Sequence, residues 1–203
     1  MRADVSNQPV RACVLVLPGG KVRSDEPSRW WQPANLRMVF IARALRRRLG
    51  SDVAVRQVQY RLRGWNSPRR DPVLDAGEVL RSCRHRWQPE TVVLVGHSMG
   101  GRVAAEMAAR GDIGAVVALA PWWDGNKADL IPPGTRLLVL HGTDDTRTDP
   151  DTSRAQTWRA SRRGLDAQWV GIAGSGHSMM RNWREWHNRT TSFVAECLRV
   201  PDE

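Results

Sequence analysis

The feature that most constrains this chain is the alternation of six short apolar segments with amphipathic, helix-like segments. The apolar segments are residues 10–17, 52–60, 91–95, 115–120, 136–142 and 167–172. Helical spacing of apolar residues marks the segments 35–49, 71–87, 99–110, 149–163 and 180–198. Strands that alternate with helices through short connections form a parallel sheet covered by helices on both faces. The sequence therefore predicts a three-layer α/β/α sandwich with a sheet of about six parallel strands.

Length and cysteine usage indicate one domain in a reducing compartment. The 203 residues suit a single domain, which we place at 10–203 after a loose polar segment at 1–9. Cys13, Cys83 and Cys197 are widely spaced on apolar positions, which predicts buried free thiols and no disulfide framework. No apolar run reaches the roughly 18 residues of a membrane-spanning helix, and the start of the chain lacks a signal-peptide pattern. We therefore expect a cytoplasmic protein without a transmembrane segment.

The positive charge is carried almost entirely by arginine. The formal net charge is +10, and Lys21 and Lys127 are the two lysines. The arginines are spread along the chain, with no basic tail and no nucleic-acid motif, so we interpret them as solvated helix faces and expect no nucleic-acid partner. The alternative, binding of an anionic polymer, predicts steeply salt-dependent binding to DNA.

A serine stands between the third apolar segment and a helix rich in small residues. Residues 96–101 read Gly-His-Ser-Met-Gly-Gly, which predicts a strand, a sharp turn with Ser98 at its apex, and a helix. Gly96 and Gly100 flank the serine because side chains there would collide across the turn, and Gly101 lets the helix pack close to the sheet. The pattern is typical of an exposed nucleophile.

Groups that could activate this serine follow other predicted strands. Sites in parallel sheets form where the strands end, and Asp144, Asp145 and His177 each come after such an end. A serine hydroxyl needs an adjacent base, and His177 lies in a glycine-rich loop from which it can reach Ser98. The other two histidines near strand ends, His97 and His141, are interpreted as structural.

Together these residues resemble the α/β-hydrolase family, whose nucleophile, acid and base follow one another in this order. The resemblance extends from the first strand to the final helix. It implies a catalytic triad of Ser98, Asp145 and His177, since the acid is the last residue of the family's His-Gly-x-x-Asp pattern; Asp144 is the second choice. The resemblance is to small carboxylesterases, acyl-protein thioesterases and dienelactone-hydrolase relatives, the last of which carry cysteine in place of Ser98.

The resemblance also implies an oxyanion hole. One donor is the backbone N–H of Met99 at the start of a helix. The other is assigned to Gly20, with Lys21 as the alternative, in a loop where Pro18 replaces the histidine of the family's His-Gly motif.

Residues 120–136 are too few for a cap domain, so we expect an open site without one. Tryptophans on the loops around the site, together with Lys21, are predicted to line the substrate pocket: Trp31, Trp65, Trp122 and Trp123. The predicted function is hydrolysis of a small-molecule carboxylic ester or thioester through an acyl-enzyme, without metal or organic cofactor. The alternative is a non-catalytic binding module on the same fold. The sequence carries no signal for oligomeric state.

Overall fold

The structure is a computed structural model and describes residues 10–88 and 91–198. Its strands are β1 (Ala12–Leu17), β2 (Val53–Gln57), β3 (Thr91–His97), β4 (Ala115–Leu119), β5 (Arg136–Gly142) and β6 (Ala167–Ile172). They form one parallel sheet in the order β2-β1-β3-β4-β5-β6, which confirms the predicted sheet. The segment 1–9, predicted to be loose, lies outside the described residues.

Helices cover both faces of the sheet, as predicted. They are α1 (Pro33–Arg48), α2 (Asp71–Trp87), α3 (Met99–Ala108), α4 (Pro150–Arg162) and α5 (Trp183–Cys197). Apolar residues of α1 and α5 form the core on one face, and those of α2, α3 and α4 form the core on the other. Between β4 and β5 the chain makes one short 3₁₀ turn at Lys127–Leu130, so this connection holds no cap domain.

Strand β1, which lies between β2 and β3, shows why most of the apolar segments are uninterrupted by polar residues. All its residues are buried; Cys13, Leu15 and Leu17 face the core beneath α2 and α3, and Val14 and Val16 face the core beneath α1. A strand covered on both faces needs apolar side chains at every position. β2 lies at the sheet edge and has partly exposed residues, which explains its interrupted pattern.

Two helix ends differ from what the sequence predicts. Gly50 directly follows the predicted helix 35–49, where a glycine commonly closes a helix, but the cap residue is Leu49 in an extended conformation (φ −97°, ψ 135°). The pair Asp71-Pro72 predicts an N-cap aspartate before proline, but Asp71 is the first helical residue of α2. Its carboxylate accepts a hydrogen bond from Asn66 at 2.9 Å. The same Asp-Pro pattern predicts the cap of α4 correctly, since Asp149 accepts from two backbone N–H groups in the first turn of that helix.

The start of α5 also differs from the prediction. The helix begins at Trp183, whereas the sequence pattern predicts that it begins at Met180. Helical spacing predicts that Trp183, Trp186 and Phe193 all face inward, but Trp183 is 48% exposed, whereas Trp186 and Phe193 are buried. Within the described ranges, no helix is both long and apolar enough to cross a bilayer.

Two glycine substitutions test the packing of the sheet against its helices. A Cβ at Gly100 would lie 2.1 Å from the carbonyl oxygen of Leu17, whereas nothing lies within 4 Å of a Cβ at Gly77 in α2. We expect Gly100→Ala to lower the free energy of unfolding by about 1–3 kcal/mol. Gly77→Ala should raise it by about 0.5–1 kcal/mol, because alanine favours helix more than glycine does. Urea denaturation measures both, and shifts of the same sign would contradict this packing.

Candidate active site

Ser98 occupies the turn between β3 and α3 in a strained backbone conformation. Its φ is 55° and its ψ is −115°, a region that costs a residue of this type roughly 1–3 kcal/mol. Neighbouring strands hold it there: the Ser98 N–H donates to the carbonyl of Leu119 at 2.9 Å, and the Ser98 carbonyl accepts from the N–H of Trp122 at 3.0 Å. A Cβ at Gly96 would lie 2.2 Å from the carbonyl oxygen of Gly100, so the turn needs its glycines.

The structure brings together the three residues predicted to form a triad. The Oγ of Ser98 lies 3.0 Å from Nε2 of His177, and Nδ1 of His177 lies 2.8 Å from Oδ2 of Asp145. An ionised carboxylate can only accept, so Nδ1 carries the ring proton and Nε2 offers its lone pair to the Ser98 hydroxyl. This geometry fits a serine with an adjacent base that an acid orients.

Asp145, and not its neighbour Asp144, faces His177. Asp145 is 8% exposed, and its carboxylate accepts from the backbone N–H groups of Arg147 at 2.8 Å and Thr148 at 3.1 Å. Burial would raise the pKa of Asp145, but the hydrogen bonds from two histidines and these amides hold it well below its usual range. Asp144 is exposed and accepts from the hydroxyl of its neighbour Thr143.

His141 is the second histidine that contacts Asp145, although its sequence position predicts only a structural role. Its Nε2 lies 3.2 Å from Oδ2 of Asp145 and its ring is fully buried. Nε2 must carry a proton because the carboxylate is an acceptor. Nδ1 lies 2.8 Å from Oγ of Ser153, which itself accepts from the indole N–H of Trp169. His141 is therefore a positioning residue for Asp145. The sequence signal that could have identified it is its place at a strand end, four residues before Asp145.

His97 joins the serine turn to the histidine loop. Its Nε2 lies 2.9 Å from the carbonyl oxygen of His177, which fixes the proton on Nε2, and the two rings are 4.8 Å apart. Burial lowers the pKa of His97 to about 3, so the ring is neutral at neutral pH. It therefore holds the loop of His177 by a hydrogen bond without adding charge beside the base.

Two backbone N–H groups are available for an oxyanion beside Ser98. Those of Gly20 and Met99 donate to no protein acceptor in the part of the chain that the structure describes. The two residues adjoin, since a Cβ at Gly20 would lie 2.3 Å from Cε of Met99. The N–H of Lys21 donates to the carbonyl of Arg63 at 2.8 Å. The alternative assignment of the donor to Lys21 is therefore wrong, and Gly20 with Met99 stays the prediction.

The predicted tryptophan wall is wrong for two of its members. Trp65 is 2% exposed and Trp123 is 3% exposed, so neither offers a ring surface to a substrate. The indole N–H of Trp123 donates to the carbonyl of Gly101. The guanidinium of Arg102 on α3 lies 4.4 Å from the ring centres of both Trp65 and Trp122, a distance that allows a cation–π interaction with each ring.

The other residues predicted to line the substrate pocket are more exposed. Trp122 is partly exposed and Trp31 is 55% exposed, and Nζ of Lys21 lies 3.6 Å from the carboxylate of Glu26. Their contact with a substrate stays a prediction. Across residues 10–88 and 91–198, no group of three or more histidine, cysteine, aspartate or glutamate side chains is arranged to hold a metal ion.

Comparison with known proteins gives matches along most of the chain. Residues 14–133 match the model of the alpha/beta hydrolase family. Alpha/beta hydrolase domain-containing protein 17B of Xenopus laevis is 26% identical over 143 residues, which are 62% of this chain and 49% of that protein. The chain thus spans about half the length of the curated relatives it matches.

Solved structures share the fold at low sequence identity. A serine hydrolase without a lid from Xanthomonas campestris has a TM-score of 0.71 and 20% identity, covering 99% of this chain and 88% of that one. Est1E from Butyrivibrio proteoclasticus, with ferulic acid bound, has a TM-score of 0.70 and 16% identity, covering 95% and 92%. Esterase 2 of Thermogutta terrifontis has a TM-score of 0.69 and 16% identity, covering 99% and 89%.

The buried His97 predicts a pH dependence of stability. Its pKa in the folded protein is about 3, against 6.5 for a free imidazole, so between these values the unfolded chain binds the proton more readily. The free energy of unfolding should therefore fall as pH falls below about 6.5, by at most about 1.4 kcal/mol per pH unit. We expect His97→Gln to flatten this slope in urea denaturation between about pH 7 and pH 5. Identical slopes in both proteins would contradict the assignment.

Proposed function

Because this chain belongs to the alpha/beta hydrolase family, we propose that it is a serine hydrolase that cleaves carboxylic ester or thioester bonds through an acyl-enzyme. The observation that carries the proposal is the 3.0 Å contact between Oγ of Ser98 and Nε2 of His177. The names of the similar solved structures, which include a serine hydrolase and esterases, support the same class of reaction.

In the proposed first half-reaction, Ser98 attacks the carbonyl carbon of the ester. His177 takes the hydroxyl proton on Nε2, and the negative charge of Asp145 stabilises the imidazolium that forms. The carbonyl oxygen becomes an oxyanion that the N–H groups of Gly20 and Met99 stabilise; such a donor typically contributes ~10²–10³ in turnover. The imidazolium then gives its proton to the leaving alcohol or thiol, and the acyl group remains on Ser98.

In the second half-reaction, water replaces the leaving group. His177 removes a proton from water, which attacks the acyl carbonyl, and the same two N–H groups hold the second oxyanion. The collapse of this intermediate returns the proton from His177 to Ser98 and releases the carboxylic acid. The absence of a cap between β4 and β5 gives water a direct path to this step.

The second candidate function is that of a non-catalytic binding module on the hydrolase fold. It would need no ordered relation between the serine, the base and the acid. The hydrogen-bonded arrangement of Ser98, His177 and Asp145 favours catalysis, because a strained serine turn and a buried carboxylate both cost stability.

Covalent labelling tests the nucleophile. A fluorophosphonate reacts with a serine that has an activated hydroxyl, so we expect wild-type protein to be labelled and Ser98→Ala to be unlabelled. Ser161→Ala, which removes an exposed hydroxyl from α4, should label like wild type. Intact-mass spectrometry measures the adduct. Folded wild-type protein that stays unlabelled would refute the hydrolase and leave the binding module.

A matched pair of variants tests which acid orients His177. We expect Asp145→Asn to lower kcat on an activated aryl ester by about 10³–10⁴, because the amide no longer favours the tautomer with its proton on Nδ1. Asp144→Asn should change kcat by less than about twofold, since Asp144 is exposed and accepts a hydrogen bond from Thr143. The reverse ranking in steady-state kinetics would move the acid to Asp144.

A further inference from the structure

An apolar groove opens between the start of α1, the start of α5 and the loop that joins His177 to α5. Its volume is about 560 Å³, within the roughly 300–1,000 Å³ of small-molecule sites. Its apolar lining is Pro33, Leu36, Phe40, Ile41, Met179, Met180 and Trp183. Its polar lining is Arg37, Ser178 and His187, and no acidic side chain lines it among the residues that the structure describes.

The groove combines a buried floor with an exposed aromatic rim. Ile41 is 1% exposed and Met179 is 6% exposed, whereas Phe40 is 55% exposed and Trp183 is 48% exposed. Four of the nine large apolar side chains that are exposed in the described part of the chain line this groove. Apolar surface concentrated in one concave place is a mark of a ligand site, while single exposed apolar residues are ordinary.

The groove is connected to the proposed reacting centre through the chain that follows His177. Ser178 lines the groove and directly follows His177, whose ring lies 3.0 Å from Oγ of Ser98. Met179 has a positive φ of 59°, and its N–H donates to the carbonyl of Gly176 at 3.1 Å. This turn directs the chain back and places Met179 in the core against α1 and α5.

We propose that this groove binds the acyl chain of the substrate, and that the chain is apolar and about eight carbons or longer. The proposal rests on the proposed function, because the chain is attached to the carbonyl that Ser98 attacks. α1 lines the groove from Pro33 to Ile41, a rise of about 12 Å. An extended carbon chain zigzags and advances about 1.3 Å per bond, so roughly ten carbons span that distance and eight cover most of it.

The groove also revises the predicted substrate surface. Three of the four tryptophans expected to form the apolar wall follow β2 and β4, and two of these, Trp65 and Trp123, are buried. The apolar surface instead lies on the α1 and α5 side of the sheet, where Trp183 supplies the exposed indole ring that those tryptophans were expected to supply. A short acyl group such as acetate would leave the groove empty.

The chain-length profile of ester hydrolysis tests the groove. We expect wild-type kcat/KM for p-nitrophenyl octanoate to exceed that for the acetate by about 30-fold or more, because each buried methylene contributes about threefold to fourfold. The double variant Phe40→Ser/Trp183→Ser removes the exposed rim without opening the core. Its octanoate-to-acetate ratio should be about tenfold lower than that of wild type.

A matched double variant controls for the loss of exposed apolar surface. Leu74→Ser/Trp158→Ser changes side chains that are 47% and 64% exposed on α2 and α4, on the other face of the sheet, and should keep the wild-type ratio. Equal hydrolysis of both esters by wild type, or an unchanged ratio in the rim variant, would contradict the acyl-chain role of the groove. Neither result would contradict the proposed hydrolase function.

Two further results would contradict the proposal that an acyl chain occupies the groove, each for a different reason. Absence of hydrolysis of both esters together with absence of fluorophosphonate labelling would refute the proposed function, and the acyl chain with it. A dimer in analytical ultracentrifugation that the rim variant abolishes, with an unchanged octanoate-to-acetate ratio, would assign the groove to a second copy of the chain.

Discussion

The buried carboxylate of Asp145 is the constraint on which the rest of the site depends. A charged group at this depth is costly unless several donors surround it. The donors come from separate parts of the chain: His141 at the end of β5, the backbone of Arg147 and Thr148 in the next loop, and His177 after β6. Satisfying one charge therefore ties two strand ends and the approach to α4 into a single arrangement, and the orientation of His177 follows from it.

The serine side of the site depends on close backbone approach. β1, β3 and α3 meet where the glycines of the turn let the carbonyl of Leu17 approach Gly100 and the carbonyl of Gly100 approach Gly96. This contact sets the position of the loop after β1, and hence the position of Gly20 beside Met99. His97 then joins the serine side to the histidine side through one hydrogen bond to the carbonyl of His177. Neither half is placed independently of the other.

The sheet and the meeting of Ser98, Asp145 and His177 could be predicted because each residue follows an apolar strand. Parallel strands end at the same edge of a sheet, so order along the chain becomes proximity in space. Features that depend on one particular side-chain contact could not be read in this way. Asp71 is the first residue of α2 instead of its N-cap, and its carboxylate accepts a hydrogen bond from Asn66 in the preceding loop.

Burial of the tryptophans was equally beyond local pattern. Tryptophan is large and amphipathic and suits either a core or a binding surface. Trp65 lies in the core beneath α2 and α3, and Arg102, from a different element, lies over its ring. Trp183 differs for another reason: it is the first residue of α5, and helical periodicity does not say whether the first turn of a helix is covered by the rest of the protein. Trp183 is 48% exposed, whereas Trp186 is buried.

The short connection between β4 and β5 has a consequence for the acyl-enzyme proposed at Ser98. With a 3₁₀ turn as its main structure, this connection places no cap domain over the proposed intermediate. A small alcohol or amine in solution would then meet the acyl carbonyl on the same terms as water. Partition between hydrolysis and acyl transfer is then decided by the concentration and nucleophilicity of the acceptor, and a groove that retains the acyl chain would prolong the time over which that competition takes place.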